Sequence, residues 1–426
     1  MPELPLKGIR VIDLSMWFAG PMCTRLLADM GAEVIKVESL KHIDPWRGPV
    51  VRQRAEIQFP NRPQTDRPYD CSPGFNLENR NKYGITLDLQ SPEARDILKK
   101  LVKISDVLVE NYSPRVMPKL GLDYPVLKEV NPRLIFISLP ALGGTGPDRD
   151  YLAFGQTIDC MSGMAYLTGY LGEEPMLESG LSYGDPLSGM NAAFAVVSAL
   201  LHRQRTGKGI RIDLSQVEGL IAFNADSILD YTMNCRIRER IGNRDRVMAP
   251  HGIYRCKGED QWVSIAISSD AVWENFCRAI GEPAWTKDER FADYPGRYNN
   301  QDELDKLISA WTLQHDHYAV MRILQAAGVP AGPVLDAKEL IEEPHLNARG
   351  IWETVRHPVA GARAEIAPFA LFSKTPIHIR TPAPCLGEHN ELVFGKLLGM
   401  SGEEIAELEK KGITGRKPSE EQQGSM

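Results

Sequence analysis

The first half of the chain alternates short apolar runs with segments of helical periodicity. Ile9–Leu14 and Glu33–Val37 have the length and composition of strands, and a helical period of apolar residues runs between them from Cys23 to Met30. Further apolar runs of strand length follow at 84–89, 106–110, 134–139 and 210–214. Strands that alternate with helices predict an α/β fold with a doubly wound parallel sheet and right-handed crossovers.

The pattern changes after Asp230. A strongly charged connector, Arg236–Arg246, leads to two runs with the character of antiparallel strands, and helical patterns cover 270–280 and 302–328. The Pro- and Gly-rich segment Gly328–Pro333 resembles a domain crossing. We therefore predict a large domain at 1–230, a smaller α/β domain at 231–330, and a return to the large domain at 331–426.

A long helix is predicted directly after Asp185. Apolar residues from Met190 to Leu201 repeat at helical spacing, Ser188 is a candidate N-cap, and Gly207 is a stop signal. Backbone N–H groups at a helix N-terminus stabilise negative charge. In one interpretation Asp185 is an ionised, fixed carboxylate that serves as a nucleophile. In the other it is only a turn or capping residue.

Two loops are predicted at the carboxyl edge of the parallel sheet, where α/β folds bind ligands. The first contains Ala19-Gly20-Pro21, and it matches neither a GxGxxG nor a Walker sequence. The second contains Gly143 and Gly144, whose N–H groups would approach a substrate oxygen closely. The alternatives are a tight turn that starts a helix for the first loop, and a flexible connector for the second.

Composition excludes several classes of protein. The 426 residues carry a formal net charge of −7, which argues against a nucleic-acid partner. Seven Cys and nine His are scattered without zinc spacing, so we expect reduced thiols and no metal site. No apolar run has bilayer length and no signal-peptide pattern is present, so we expect no membrane partner and a cytoplasmic location. Arg47 lies in a polar segment, where it would bind a phosphate or face solvent.

Several segments together resemble one family, the class III (family III) CoA-transferases, which include formyl-CoA transferase and carnitine CoA-transferase. The similar segments, in chain order, include LKGIRVIDLS, LLADMGAEVIKVE, NRNKYGITLDLQSPEARDILKKLVKISDVLVENYSP, TGKGIRIDLSQVEG, GVPAGPVLDAKELIEEPHLNARGIWETVRHP and PAPCLGEHNELVFGKLLGM. They span most of the sequence, so the resemblance concerns the whole chain.

The resemblance implies a Rossmann-like large domain and a small domain joined by two linkers, in an interlocked dimer. It places Asp185 at the nucleophile position, with Gly143 and Gly144 as candidate oxyanion donors. The implied CoA-binding residues are Met16, Trp17, Phe18 and Ala19 after the first strand, Asn111, Arg47 with Asn81 and Lys82 at the nucleotide end, and Lys119, where a relative carries Arg.

The reaction implied is CoA transfer from an acyl-CoA donor, with succinyl-CoA as one candidate, to a free carboxylic acid through an aspartyl anhydride and an aspartyl-CoA thioester. CoA enters as substrate, and no permanently bound cofactor or metal is implied. Trp17, Phe18 and Trp46 with arginines of the 49–73 insertion point to an aromatic dicarboxylate acceptor such as benzylsuccinate. In the alternative interpretation these aromatic side chains pack against CoA or the core.

Other functions stay open from the sequence. A CoA-ester racemase of the same superfamily needs a His paired with an Asp, and 148–159 contains no His. The chain would also fit a non-catalytic CoA-binding subunit, so both a homodimer and a heterodimer with a related chain are possible. Leu142 stands where the family usually has an aromatic residue, and Pro186 disfavours helical geometry at Asp185.

Overall fold

The computed structural model describes residues 3–50, 65–176 and 182–419 of the chain. Most of the predicted insertion at 49–73, namely 51–64, lies outside these residues. Contacts divide the chain into two compact units, one formed from 1–164, 177–233 and 348–426 and the other from 165–176 and 234–347. Compared with the predicted small domain at 231–330, the second unit extends further along the chain and includes a short segment near residue 170.

The first unit is built on a parallel sheet that has six strands among the described residues. The strands are β1 (Arg10–Asp13), β2 (Glu33–Glu38), β3 (Lys82–Thr86), β4 (Val107–Glu110), β5 (Ile135–Ser138) and β6 (Ile210–Asp213). Their order in the sheet is β3-β2-β1-β4-β5-β6, and all neighbours are parallel. This is the Rossmann order, so the predicted α/β fold class with a doubly wound sheet is confirmed.

Helices lie between the strands of this sheet along the chain, and two more directly follow its last strand. They are α1 (Ala19–Asp29), α2 (Pro73–Glu78), α3 (Pro92–Lys103), α4 (Val116–Leu120), α5 (Tyr124–Val130), α6 (Gly155–Met161), α7 (Met164–Leu167), α8 (Gly184–Thr206), α9 (Gln216–Phe223) and α10 (Ala225–Asn234). None of the helices in the described parts of the chain is long and apolar enough to span a membrane.

Side chains of the central strands alternate between two buried layers. Val11 and Val109 pack with α1 and α8 on one face, and Ile12 and Leu108 pack with α3 on the other. Successive residues of a strand point to opposite faces, and helices cover both faces of a parallel sheet, so these strands are continuous apolar runs. This is the reason that the sequence pattern located them.

Helix α8 is buried through its small residues. Ala192 is fully buried, whereas Met190, Phe194 and Leu201 are 42%, 74% and 54% exposed. The larger apolar side chains that define the periodicity therefore lie on the outer face, and the small residues between them form the contact with the core.

The two helices α1 and α8 approach closely at one glycine. A Cβ added to Gly189 would lie 2.7 Å from the carbonyl oxygen of Ala19 and 2.9 Å from the Cβ of Met22. A methyl group does not fit at either distance, so glycine is required for this approach.

The second unit contains an antiparallel sheet and a helical layer. Its strands, in the order β7-β8-β9, are β7 (His251–Arg255), β8 (Trp262–Ala266) and β9 (Ala331–Pro333). The helices are α11 (Asp270–Ala279), α12 (Tyr294–Asn299), α13 (Gln301–Thr312), α14 (His317–Ala326), α15 (Ala337–Glu342) and α16 (Pro344–Ala348). The predicted helix at 302–328 is two helices, because Asp316 caps a new N-terminus by accepting from the N–H of Ala319 at 2.8 Å.

The C-terminal part adds an antiparallel hairpin and one more helix to the first unit. The hairpin is formed by β10 (Trp352–His357) and β11 (Gly361–Ile366), and a π-helical segment at Glu391–Leu397 precedes α17 (Gly402–Lys410). Ser401 caps α17 in a capping box with Glu404.

Candidate active site

A cavity of about 570 Å³ lies where the strand order of the sheet reverses. The chain crosses to opposite sides after β1 and β4, which are neighbours in the sheet. Met16, Trp17 and Phe18 follow β1, Asn111 and Tyr112 follow β4, and all five line the cavity. Open α/β sheets bind ligands at this reversal point, so the fold and the cavity indicate the same site.

The loop after β1 is held through its backbone. The side chain of Asn111 accepts a hydrogen bond from the N–H of Met16 at 2.9 Å and donates to the carbonyl of Met16 at 2.7 Å. Asp44 accepts from the N–H of Trp17 at 3.1 Å. Trp17 has φ of 65°, a conformation that costs a bulky residue free energy and persists only where the surroundings impose it. The loop is therefore fixed in shape by its neighbours.

Asp185 lies inside the first turn of α8 and lines the cavity. The prediction that Asp185 lies upstream of the helix, with Ser188 as its N-cap, was wrong, because the helix begins at Gly184. Asp159 accepts a hydrogen bond from the N–H of Gly184 at 3.1 Å and so satisfies the first free donor of the helix. Pro186 is tolerated because residues of a first turn have no N–H partner within the helix.

Burial first, and the nearby charge of Asp159 second, raise the pKa of Asp185, which is about 6. A hydrogen bond from the backbone of Ala19 acts the other way by stabilising the carboxylate. The expectation that Asp185 stays ionised therefore holds above about pH 6 and fails below it. At neutral pH most of the molecules carry the carboxylate.

Helix α6 reaches Asp185 through a glycine. A Cβ added to Gly155 would lie 2.5 Å from Oδ2 of Asp185 and 2.3 Å from the Cβ of Ser182. The backbone of Gly155 thus forms the wall of the cavity directly beside the carboxylate.

Aromatic side chains form much of the remaining wall. The rings of Trp17 and Phe154 meet edge to face at 5.6 Å, and those of Phe18 and Trp46 stack at 4.8 Å. Arg149 is the one Lys or Arg side chain among the described residues that line the cavity. The site therefore combines an apolar surface, one carboxylate and one cation.

A second cavity of about 410 Å³ adjoins the first, since Met16 and Tyr112 line both. It lies beyond the carboxyl ends of β2 and β3, with polar groups from Ser39, His42 and Gln90. Helix α4 contributes Val116 and Leu120 to this cavity. Lys119 is exposed on the same helix, so its predicted contact with CoA stays a prediction.

The structure does not bring Arg47 to either cavity. Its guanidinium is fully buried and pairs with Glu38 at 2.6 Å and with Asp70 at 2.8 Å. Leaving those carboxylates buried without it would cost about 3–5 kcal/mol. Arg47 therefore has a structural role in a buried ion-pair network, and we no longer assign it to CoA binding.

Asn81 and Lys82 are also occupied inside the protein. The side chain of Asn81 donates to Asp29 at 2.7 Å, and the Lys82 ammonium pairs with Asp13 at 3.0 Å at the end of β1. Burial lowers the pKa of Lys82 to about 8. Neither side chain lines the two cavities described here, so their predicted role at the nucleotide end is corrected to a structural one.

The predicted oxyanion donors, Gly143 and Gly144, are directed elsewhere. The N–H of Gly144 donates to both carboxylate oxygens of Asp213, at 2.8 and 3.0 Å, and the N–H of Gly143 donates to the carbonyl of Pro140. Neither glycine lines the cavity that contains Asp185. Because a donor that is already paired does not stabilise a developing oxyanion, we withdraw both assignments.

Of the predicted residues, the structure brings Met16, Trp17, Phe18 and Asn111 together with Asp185, and it places the backbone of Ala19 in contact with the carboxylate. Sequence reasoning missed Arg149, Gly155 and Asp159. The segment 148–159 was considered only for a histidine. A signal was present, because residues 155, 158 and 159 share one helical face, and a carboxylate on a face with Gly and Ile indicates a buried polar partner.

The chain belongs to the CoA-transferase family III, whose model matches residues 6–390. Members of this family use CoA thioesters as substrates, so the chain is a CoA-transferase. The resemblance to the class III CoA-transferases, which was noted from the sequence, is thereby confirmed.

Curated relatives share the whole length of the chain. It is 35% identical over 412 residues to the succinyl-CoA–D-citramalate CoA-transferase of Chloroflexus aurantiacus, covering 97% of this chain and 98% of that protein. It is 32% identical over 429 residues to a formyl-CoA:oxalate CoA-transferase of Rhodopseudomonas palustris, covering 96% and 97%. A crystal structure of a CAIB/BAIF family protein from Brucella suis matches with a TM-score of 0.82 at 30% identity, covering 93% of this chain and all of the other.

Proposed function

We propose that Asp185 carries the acyl group and then CoA during transfer. Its carboxylate attacks the thioester carbonyl of the donor, the C–S bond breaks, and CoA thiolate leaves behind an aspartyl anhydride. The thiolate attacks the aspartyl carbonyl of the anhydride, and the donor acid is released as its carboxylate. The acceptor carboxylate then attacks the aspartyl-CoA thioester, and the returning thiolate converts the second anhydride to acceptor-CoA and free Asp185.

The observation that carries this proposal is the placement of Asp185. It is the nucleophile candidate in a cavity that opens onto the rigid loop after β1, and a second cavity continues past Met16 and Tyr112. A molecule as long as CoA needs such a continuous path, with its thiol at Asp185 and its nucleotide end beyond β2 and β3. We assign Met16, Trp17, Phe18 and Asn111 to the thiol-bearing arm.

For the substrates, we propose succinyl-CoA as donor and a dicarboxylic acid as acceptor. Arg149 at the wall of the cavity would pair with the carboxylate that does not react, and the aromatic residues Trp17, Phe154 and Trp46 would contact the body of the acid. A relative at 35% identity is named for succinyl-CoA and D-citramalate. The aromatic wall favours an acceptor with a ring, such as benzylsuccinate.

Replacing Arg149 tests this substrate assignment. For Arg149→Gln we expect kcat/KM with succinyl-CoA to fall about three- to tenfold, mainly through KM. The effect is moderate because the Arg149 side chain is half exposed, so water screens the ion pair that it would form with the free carboxylate of succinyl-CoA. Acetyl-CoA and butyryl-CoA, which lack a second carboxylate, should react as with the wild type. Arg205→Gln on the exposed end of α8 is the matched control. Equal losses for all three donors would contradict the assignment.

We also propose that the chain acts as a dimer, with a second copy or a related subunit covering the outer face of α8. Phe194 and Leu201 expose much of their apolar surface there, and Phe223 on α9 is 66% exposed. Large apolar side chains that are exposed to this extent are typical of a surface that a partner covers.

Two other functions fit the fold less well or need a separate assay. A CoA-ester racemase needs a histidine as partner base, and none of the described residues that line the cavity is a histidine. A non-catalytic subunit is separated from an enzyme by assaying the purified chain alone.

The purified chain should transfer CoA from succinyl-CoA to a suitable acid, and its mass in solution should be that of two copies. Borohydride added during turnover should reduce a thioester at Asp185 to an alcohol, and peptide mass spectrometry would locate the product. Labelling at another residue would refute the mechanism. Activity that appears only after adding a related chain would favour the heterodimer, and no activity with any pair of acids would refute the function.

A further inference from the structure

Helix α6 lies along the segment that carries Asp185. Its first residue, Gly155, touches Ser182 and Oδ2 of Asp185, as the clash distances of an added Cβ show. One turn later, Asp159 reaches the same segment from the same face of the helix. The contact therefore extends over a full turn of α6, and it involves both the backbone and the side chain of the catalytic segment.

Asp159 is 5% exposed, and its Oδ1 accepts two hydrogen bonds from that segment. One comes from the hydroxyl of Ser182 at 3.2 Å and the other from the N–H of Gly184 at 3.1 Å. These two donors lie on either side of Tyr183, directly before Asp185. The proposed transfer reaction gives Asp159 no chemical step, yet a buried carboxylate is retained beside the carboxylate that reacts.

We propose that Asp159 is a positioning residue for the transfer reaction: it anchors the first turn of α8 so that Asp185 faces the cavity, and its negative charge tunes that nucleophile. This inference rests on the proposed role of Asp185. Hydrogen bonds to a carboxylate at a helix N-terminus are strong and directional, so they fix the direction in which the first turn begins. A nucleophile held in an attack geometry gains rate because less orientation is lost in the transition state.

The charged groups around Asp185 allow a test of the proposed effect of the Asp159 charge on Asp185. Among the described residues, Arg149 is the other charged group that lines the cavity with Asp185, and Tyr112 and Tyr151 are the other titratable groups there. Asp159 does not line the cavity, and its charge acts on Asp185 from α6. Burial is the larger cause of the raised pKa of Asp185, and Asp159 is the second. Removing that charge lowers the pKa, so Asp185 stays ionised to lower pH.

The experiment compares Asp159→Asn and Asp159→Ala, with Asp96→Asn on the exposed face of α3 as control. The measured quantity is kcat/KM with succinyl-CoA from pH 4.5 to 8. The wild type and the control should lose activity as pH falls through about 6. In Asp159→Asn, which keeps an acceptor for Gly184, we expect the acid limb to move down by about half a pH unit or more while the plateau falls less than about threefold.

In Asp159→Ala the anchor is lost as well as the charge. We expect kcat to fall about tenfold or more, with the KM for succinyl-CoA within about threefold of the wild type, because the carboxylate is misplaced while the CoA path is unchanged. Thermal unfolding of each variant shows whether a lower activity comes from a smaller folded fraction or from a lower kcat. If Asp159 had only a structural role, the pH of the acid limb would be the same in the variant as in the wild type.

An acid limb for Asp159→Asn that superimposes on that of the wild type overturns the tuning, and full kcat in Asp159→Ala overturns the anchoring. Failure of the underlying function looks different. In that case Asp185→Asn would retain activity, whatever the Asp159 variants do.

Discussion

Asp185→Asn is expected to lower kcat for CoA transfer by about 10⁴-fold or more, because an amide does not attack a thioester and no anhydride forms. The substitution conserves size, and Asn in the first turn of α8 keeps the hydrogen-bonding capacity of the site. We therefore expect the variant to fold and to bind CoA with nearly the wild-type dissociation constant. Steady-state kinetics and a CoA titration on the same preparation measure the two effects separately.

Two further variants show whether the loss of kcat in Asp185→Asn comes from the missing carboxylate. Asp185→Glu keeps a carboxylate but displaces it by one methylene in a site that Gly155 already crowds, and it should retain only a small part of the activity. Asp96→Asn again serves as the neutral control on the surface. Activity of Asp185→Asn within tenfold of the wild type would refute an aspartyl intermediate, and another route of transfer would then be required.

The pH dependence of the wild type follows from the same side chain. Its pKa is raised to about 6, so the reactive carboxylate is fully present at pH 7.5 and is lost as pH falls through 6. For stability the direction is opposite. A carboxyl whose pKa is raised by folding binds its proton more tightly in the native state, so its contribution to the free energy of unfolding declines as pH rises from about 4 to 6.

Gly155→Ala is the second substitution with a large expected effect. The new methyl carbon would lie 2.5 Å from Oδ2 of Asp185 and 2.3 Å from the Cβ of Ser182, so the carboxylate or helix α6 must move. A displacement of about 1 Å at a nucleophile costs about 10²-fold in rate, and we expect a loss of that size in kcat. Rates measured with saturating succinyl-CoA and acceptor would report it.

Gly402→Ala is the matched control for Gly155→Ala. Gly402 lies at the start of α17, and an added Cβ meets no atom within 4 Å there. Alanine in such a place favours the helix, so activity and thermal stability should be at least those of the wild type. A Gly155→Ala enzyme with wild-type kcat would show that the close approach of α6 to Asp185 is relaxed in solution.

The sheet and the main loop of the site were predictable because their signals are local. Short apolar runs identify β1 and β4, and the loop after β1 must then leave the carboxyl edge of the sheet. Asp185 was a candidate because a helix is predicted directly after it, and the resemblance to the family strengthened that prediction. Its setting in the first turn of α8 was not predicted, because the partner that starts the helix, Asp159, lies 25 residues earlier in the chain.

The wrong assignments have the same cause. Arg47 is a polar residue in a polar segment, and only the fold brings Asp70 to its guanidinium. Gly144 lies in a loop whose glycines suggested flexibility. Its N–H donates a hydrogen bond to Asp213 at the end of β6, 69 residues later. The residues around Arg47 and Gly144 carry no sign of partners at such separations, so the sequence there does not say whether these polar groups are free.

The close approach of α1 and α8 at Gly189 has a consequence for engineering new specificities. It joins the helix that bears Asp185 to the helix that begins at Ala19, with no room for an extra methyl group between them. Mutations that change the acid accepted by the enzyme are therefore expected at 149–154 of the cavity wall, where most side chains are exposed and a substitution costs little stability. Directed evolution libraries confined to that stretch should yield active variants far more often than libraries spread over the paired helices.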